Sequence, residues 1–594
     1  MYLRTVKAAG REGITHEYVR LVESYREGGK NKQRVVLSLG RKDLLAAHLD
    51  GLIRLLRGAP ALSSETAPAR ALGAWDFGPV LVARTLWREL GIESILERCG
   101  GRTIADRVAF CERALVLVAN RLCAPTSEHG LARWLETDFV CDRKGRRWLP
   151  EWRDDAERKS SRLPRVRVAF RQLKQWYRTL DQLVEHKKEI EKELFLRLRD
   201  LFSLKVDLVF YDLTSTYFEG EGPPDLGAYG YSRDGKPRHR QVLVGVVMVK
   251  GWPIANHVFR GNLRDEKTVK AVVEDLESRF GLKRVVFVGD RGMVSREALG
   301  FLKSRREEGG QHGYLVGVQR RRREEVKRYI ERATGRWIEC QVGISAREKS
   351  VPPKTLVQEV ASDEAGVRIF VVHSDERLAY ERAMRERSMD RTRVALEKLK
   401  KRVVAGKLKA PEKIGAAAAR ILARNHGNRY FGWRLDGGCF HFFESENLAR
   451  EKQYEGKYLI QTEERDVGPI EAVQTYKELA EVERGFRTIK DVIEMRPIFH
   501  QTDRRVEAHI FVAALALLLH RALEKKLKAA GVDLSASEAL ETLRTVRVVD
   551  IDLGDGRAKR CVTRGSQRAA RILAGLGITN IEPPAASERE QTVV

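Results

Sequence analysis

The chain has 594 residues, 43% of them hydrophobic and 32% charged, ample for several buried cores. Lys and Arg exceed Asp and Glu by 110 − 83 = 27, which points to a polyanionic partner, nucleic acid by default. Those figures exclude collagen, a disulfide miniprotein and an acidic disordered chain. Seven cysteines without a CxxC pair signal neither a zinc site nor a disulfide framework, so a reducing, cytoplasmic setting is expected. The opening MYLRTVKAAGREG lacks the apolar stretch of a signal peptide.

Residues 1–60 alternate in period two around Gly28-Gly29, which predicts a β-rich segment with a hairpin. Over 61–203 the period becomes helical, as in PVLVARTLWRELGIESILERC, and a helical region for DNA binding or assembly is expected. Within 204–319, KVDLVFYDLTSTYF is a strand apolar on both faces, and QVLVGVVMVKGWPIANHVF is two strands turning at Lys250-Gly251. DEKTVKAVVEDLESRF is an amphipathic helix with acids in its first turn, and RVVFVGD is a buried strand ending on Asp290. A short helix and the strand GYLVGVQ follow. This order of three strands, helix, strand, helix, strand is that of an RNase H-like α/β core, a mixed sheet flanked by helices.

Residues 320–455 interrupt that core and predict an inserted β-rich and helical domain, because long loops rarely lack structure of their own. Residues 456–530 return to the core through YLIQTEE and the helix PIEAVQTYKELAEVERGFRTIKDVIEM. The run Ile510–Leu519 is too short to span a bilayer and reads as part of a buried packing helix, and 531–594 reads as a C-terminal tail.

Asp212 and Asp290 end neighbouring strands of such a sheet, so both carboxylates project from one edge. Two close carboxylates repel unless one is protonated or a cation lies between them, and hard oxygen donors favour Mg²⁺ or Mn²⁺. On the helix after Gly468, at about 100° per residue, Glu483, Arg487 and Lys490 fall within about 40° of Tyr476 and Leu479 within about 60°. Val482, Phe486, Ile489 and Ile493 form the neighbouring apolar stripe that packs on the sheet. A third acid, Glu483, thus stands on a polar stripe beside the sheet.

These residues resemble those of a bacterial insertion-sequence DDE transposase of the IS-four superfamily. YDLTSTYF matches the first acid's motif, VVFVGDRGMVS the second's, and GYSRDGKPRHRQVLVGVVMVKGWPIANHVFRGNLRDEKT the stretch between. The helix matches the Tyr-x2-Arg-x3-Glu-x6-Lys signature through Tyr476, Glu483 and Lys490, with Leu479 at the usual Arg position. The resemblance implies Asp212, Asp290 and Glu483 as catalytic acids holding two Mg²⁺ ions, with Mn²⁺ substituting, for phosphoryl transfer at transposon ends. It further implies contacts to double-stranded DNA from Tyr476, Lys490, Arg487 and Arg291, and a homodimer in the DNA complex. A family tryptophan that holds a flipped base has two candidates here, Trp337 and Trp433, each of which reads first as a buried strand residue. Other readings are an RNase H-like nuclease without strand transfer and a domesticated DNA-binding protein. His239, His257 and His500 show no metal-ligand spacing, and Gln319–Arg328 reads as a solvated charged face.

Overall fold

Runs that are apolar on both faces need cover on both sides, and the chain carries several: Gln241–Val249 and Gly313–Val318 are each buried along their whole length. The computed structural model describes residues 2–9, 15–45, 70–149, 170–202, 208–263, 267–282, 284–290, 296–307, 312–318, 324–340, 354–424, 426–552 and 558–584. The chain divides into two units, Met1–Ala74 with Val549–Cys561, and Trp75–Val548 with Val562–Val594.

In the first unit, β1 (Tyr2–Ala9), β2 (Thr15–Glu27) and β3 (Lys30–Arg41) form an antiparallel sheet in that order, β2 and β3 turning at Gly28-Gly29 as the alternation predicts.

Among the described residues the second unit opens with six helices, Gly78–Glu89, Ile92–Cys99, Ile104–Cys123, Leu131–Thr137, Phe170–Glu185 and Lys187–Phe202, in line with the helical periodicity; β4 (Arg70–Asp76) precedes them. Their apolar faces join one continuous core with the central sheet and the helix Asp503–Ala529. That 27-residue helix is, among the described residues, the one long and apolar enough to cross a membrane, and 94% of its apolar window is buried inside the protein.

The central elements follow in the expected order: β5 (Leu208–Tyr217), β6 (Gln241–Val249), β7 (Trp252–Arg260), helix Thr268–Phe280, β8 (Val286–Asp290), helix Arg296–Glu307 and β9 (Gly313–Val318). β6 and β7 turn at Lys250-Gly251, whose φ values of 48° and 75° are both left-handed, as a tight hairpin of right-twisted strands requires. The helix starts at Thr268, so the acids expected in its first turn, Asp265 and Glu266, lie outside the described residues.

Two expectations change here. Asp212 does not end its strand: β5 continues to Tyr217, because Leu213–Tyr217 finds an antiparallel partner in β6 as far as Tyr217↔Gln241. The interruption at 320–455 is of two kinds. β10 (Ile338–Cys340), β11 (Thr355–Val360) and β12 (Arg368–Ser374) extend the central sheet, since β12 is buried on both faces and needs a partner on each side. Helices Asp375–Val404, Pro411–Arg424 and Asn447–Tyr454, with the hairpin β13 (Phe431–Asp436) and β14 (Cys439–Glu444), close around a core of their own that includes Leu396, Ile414, Phe431 and Phe440. With β15 (Lys457–Thr462), the nine-stranded mixed sheet runs β10-β11-β12-β15-β9-β8-β5-β6-β7.

The C-terminal stretch is more than a tail. Ser535 and Glu538 form a reciprocal capping box that starts helix Ala536–Leu543, and helix Gln567–Gly575 buries Ile572 and Leu573 in the main core. Between them β16 (Arg547–Asp552) and β17 (Ala558–Val562) pair, in a sheet ordered β17-β16-β4.

Candidate active site

β5 and β8 run parallel in the register Leu208↔Val286, Val209↔Phe287, Phe210↔Val288. Two residues beyond the last pair in each strand are Asp212 and Asp290, so the two acids hold equivalent positions on adjacent strands. Asp290 is the last residue of β8 and pairs with Gly317 of β9; its side chain lies outside the described residues. The Asp212 carboxylate is half-buried, and its Oδ1 accepts the Leu213 backbone N–H at 2.8 Å.

The helix Pro469–Arg487 packs across β5, β8 and β9. Proline at its first turn costs no hydrogen bond there, which fixes where the helix starts. Tyr476, 9% exposed, packs at a tilt against Tyr458 with ring centroids 5.7 Å apart, and its phenol lies where a Cβ of Gly317 would stand. Glycine on β9 opposite Asp290 is therefore what lets the helix seat beside the second acid. Two turns further along the helix, Glu483 is exposed, as is Arg487.

The face that carries Glu483 thus runs from covered to open. Leu479, expected on a polar stripe, is 5% exposed and belongs to the main core. The wheel placed it about 60° from Tyr476, and Tyr476 is itself buried, so the buried arc is wider than the apolar residues alone suggest.

Lys490 also departs from the simple wheel. The α-helix gives way at Thr488–Val492 to a π turn, with Ile493 N donating to Thr488 O at 3.0 Å, so residues beyond Arg487 shift around the axis. The Lys490 side chain is 10% exposed and its ammonium donates to Asp234 Oδ1 at 2.8 Å; Arg496 binds the same oxygen. Burial pushes the Lys490 ammonium down, and Asp234 opposes it. Arg291 lies outside the described residues.

Glu481, another acid of this helix, belongs elsewhere: it accepts from Arg484 at 2.7 Å and lies 3.5 Å from buried Arg521. Trp433 is stacked 6.0 Å from Phe440 within the small core of the 375–454 module, and Trp337 packs against the sheet near His373. His257 is half-buried on β7, where desolvation pushes its imidazole down to about 3, and His239 Nδ1 lies 3.2 Å from Phe218 O.

One polar cluster had no sequence signal, because its members come from distant stretches. Glu128, His500 and His509 offer ligand atoms within 4.8 Å of one another. His509 Nε2 faces Met495 O at 3.0 Å and its Nδ1 faces Arg121 Nη2 at 3.3 Å, so both ring nitrogens are engaged. Burial pushes the Glu128 carboxyl up, yet His500, His509 and Arg121 outweigh it and the net direction is down. The cluster is an internal charge network in which the His509 ring has no lone pair left for a metal.

Asp212, Asp290 and Glu483 are all hard oxygen donors, a set that suits a divalent cation such as Mg²⁺ or Mn²⁺ and not a thiophilic metal.

Residues 3–65 match the family model of the IS1634 family transposase, N-terminal domain, and residues 208–519 match that of the transposase DDE domain. No curated protein matches. Among solved structures, a piggyBac transposase in a synaptic complex with hairpin DNA, determined by cryo-EM, is similar over 79% of each chain at 11% identity with a TM-score of 0.32, too distant to carry an argument about the site. The DDE-domain match alone spans 519 − 208 + 1 = 312 of the 594 residues, more than half. The transposase resemblance read from the acid motifs is borne out, and with it action on DNA and use of a divalent metal. The chain belongs to the insertion-sequence DDE transposases.

Proposed function

We propose that this transposase cuts the ends of its own insertion sequence and joins them to target DNA, with Asp212, Asp290 and Glu483 as the carboxylates that hold Mg²⁺, Mn²⁺ substituting. The observation that carries this reading is the equivalent register of Asp212 and Asp290 on adjacent parallel strands, beneath the helix that bears Glu483. When bound, the metal ions supply Lewis-acid activation of the attacking hydroxyl and neutralise charge on the leaving oxygen. The chain's own part is to hold three anionic oxygens on rigid elements, two on strands of a buried sheet and one on a helix seated by Tyr476. Arg487, exposed one turn beyond Glu483, binds a phosphate of the transposon-end strand, with Arg291 as a second contact, while buried Tyr476 and Lys490 act from inside by seating the helix and its π turn. A homodimer brings two ends together, so that both are cut in one complex. The core is RNase H-like, interrupted by the 375–454 module.

The test pairs a nicking assay on end DNA in Mg²⁺ or Mn²⁺ with a gel shift on the same DNA. Glu483→Gln keeps volume and helix propensity while removing the charge, so cleavage and joining fall by orders of magnitude and binding survives. Wild-type cleavage by Glu483→Gln would remove Glu483 from the site. Cutting without joined products would favour a plain nuclease.

A further inference from the structure

Between the strand that carries Asp212 and the helix that carries Glu483 lies a buried ion network. Ser215, three residues past Asp212 on β5 and 0% exposed, accepts the Arg233 backbone N–H on its Oγ at 2.9 Å. The next residue, Asp234, has a side chain 4% exposed and takes both the Lys490 ammonium and the Arg496 guanidinium on Oδ1. Its Oδ2 is buried with no hydrogen-bond partner among the described residues. The carboxylate is thus balanced through one oxygen by two cations, an arrangement that uses its charge more than its acceptor capacity. Lys490 sits on the π turn that continues the helix of Glu483, seven residues beyond that acid, and Arg496 is also paired with Asp491 of the same turn.

We propose that Asp234 is a positioning residue for the reaction. Through Arg233 and Ser215 it is tied to the strand of the first acid, and through Lys490 and Arg496 to the end of the third acid's helix, so it fixes Glu483 relative to Asp212. A neutral residue at 234 leaves the buried Lys490 ammonium without its counter-charge and Arg496 with Asp491 alone, which releases the π turn, and the three carboxylates lose their alignment. The inference rests on the reading of those acids as metal ligands.

The test uses the full-length protein with Asp234→Asn, at a temperature where melting curves show wild type and variant both folded. Mn²⁺ binding is followed by electron paramagnetic resonance without DNA, nicking by single turnover on end DNA, and affinity by gel shift. Mn²⁺ affinity and nicking rate are each expected to fall about tenfold or more, the scale on which residues orienting metal ligands act. End-DNA affinity should change less than about threefold, since Asp234 is buried away from the phosphates. Asp234→Glu, which restores the charge, recovers part of both losses. If Asp234→Asn does not fold, Asp234→Asn with Lys490→Met, which removes the anion and one cation together, carries the same readouts. A lowered melting temperature with Mn²⁺ binding and nicking intact overturns the proposal, since the network would then serve stability alone. Tighter DNA binding with unchanged nicking overturns it too, because Asp234 would then be masking Lys490. A wild type that binds Mn²⁺ through its acids but nicks no end DNA sinks the transposase reading, while a loss of Mn²⁺ affinity in Asp234→Asn still supports this one.

Discussion

At Leu479 the family signature commonly has Arg, and surface logic would predict that Leu479→Arg is harmless or improves DNA contact. The side chain is 5% exposed among core residues, and that reverses the expectation. An arginine there either stays buried without a counter-charge or forces the helix off the sheet. Such substitutions lie in the tail of the mutational distribution, at about 4 kcal/mol or more. Leu479→Arg should therefore lower the melting temperature by many degrees, or prevent folding, where the exposed Arg487→Leu should not. A Leu479→Arg protein that melts like the wild type would show that this face of the helix is open. The placement of Asp212, Asp290 and Glu483 on two adjacent strands and the crossing helix was legible, because each lies in a strongly patterned run. The surroundings of Lys490 were not, since Asp234 is remote in sequence and a π turn leaves no periodic trace.

The central elements were legible in order and type because strands apolar on both faces and amphipathic helices carry different periods. Pairing was less so. Nothing in VRIFVVHS says that β12 joins β15 instead of staying within an insertion, and the partner of Leu213–Tyr217 is settled by tertiary packing. The seating of the Glu483 helix depends on one such tertiary detail, the absence of a side chain at Gly317. Gly317→Ala puts a methyl into the Tyr476 ring, and overpacking of this kind costs about 1–3 kcal/mol. The expected outcome is a melting temperature lowered by several degrees together with slower nicking, as the helix tilts away from β9. Tyr476→Leu in the same chain, by removing the ring, should recover part of the stability. If Gly317→Ala melts and cuts like the wild type, the helix is not seated against β9 at that point.

Over the whole molecule the excess of 27 positive charges was the first signal of a polyanionic partner, yet many of its arginines do internal work. Arg385 is paired with Glu455, Arg279 with Glu191 and Asp275, and Arg521 with Glu524. Each such pair cancels, so the excess is carried by the basic groups that remain, most of them at the surface, where they release counterions from DNA. Affinity for duplex should then fall about a thousandfold or more between roughly 50 and 200 mM salt if six or more phosphates are neutralised. Glu483→Gln should leave that slope unchanged, because it removes a metal-facing charge and no phosphate contact. Arg487→Ala should reduce the slope by about one unit, the signature of a single lost phosphate contact. Both are read from log affinity against log salt on end DNA and on unrelated duplex. A shallow slope on both DNAs would mean that the surplus charge does not face the substrate. A slope that Arg487→Ala leaves intact would take that residue off the phosphate backbone.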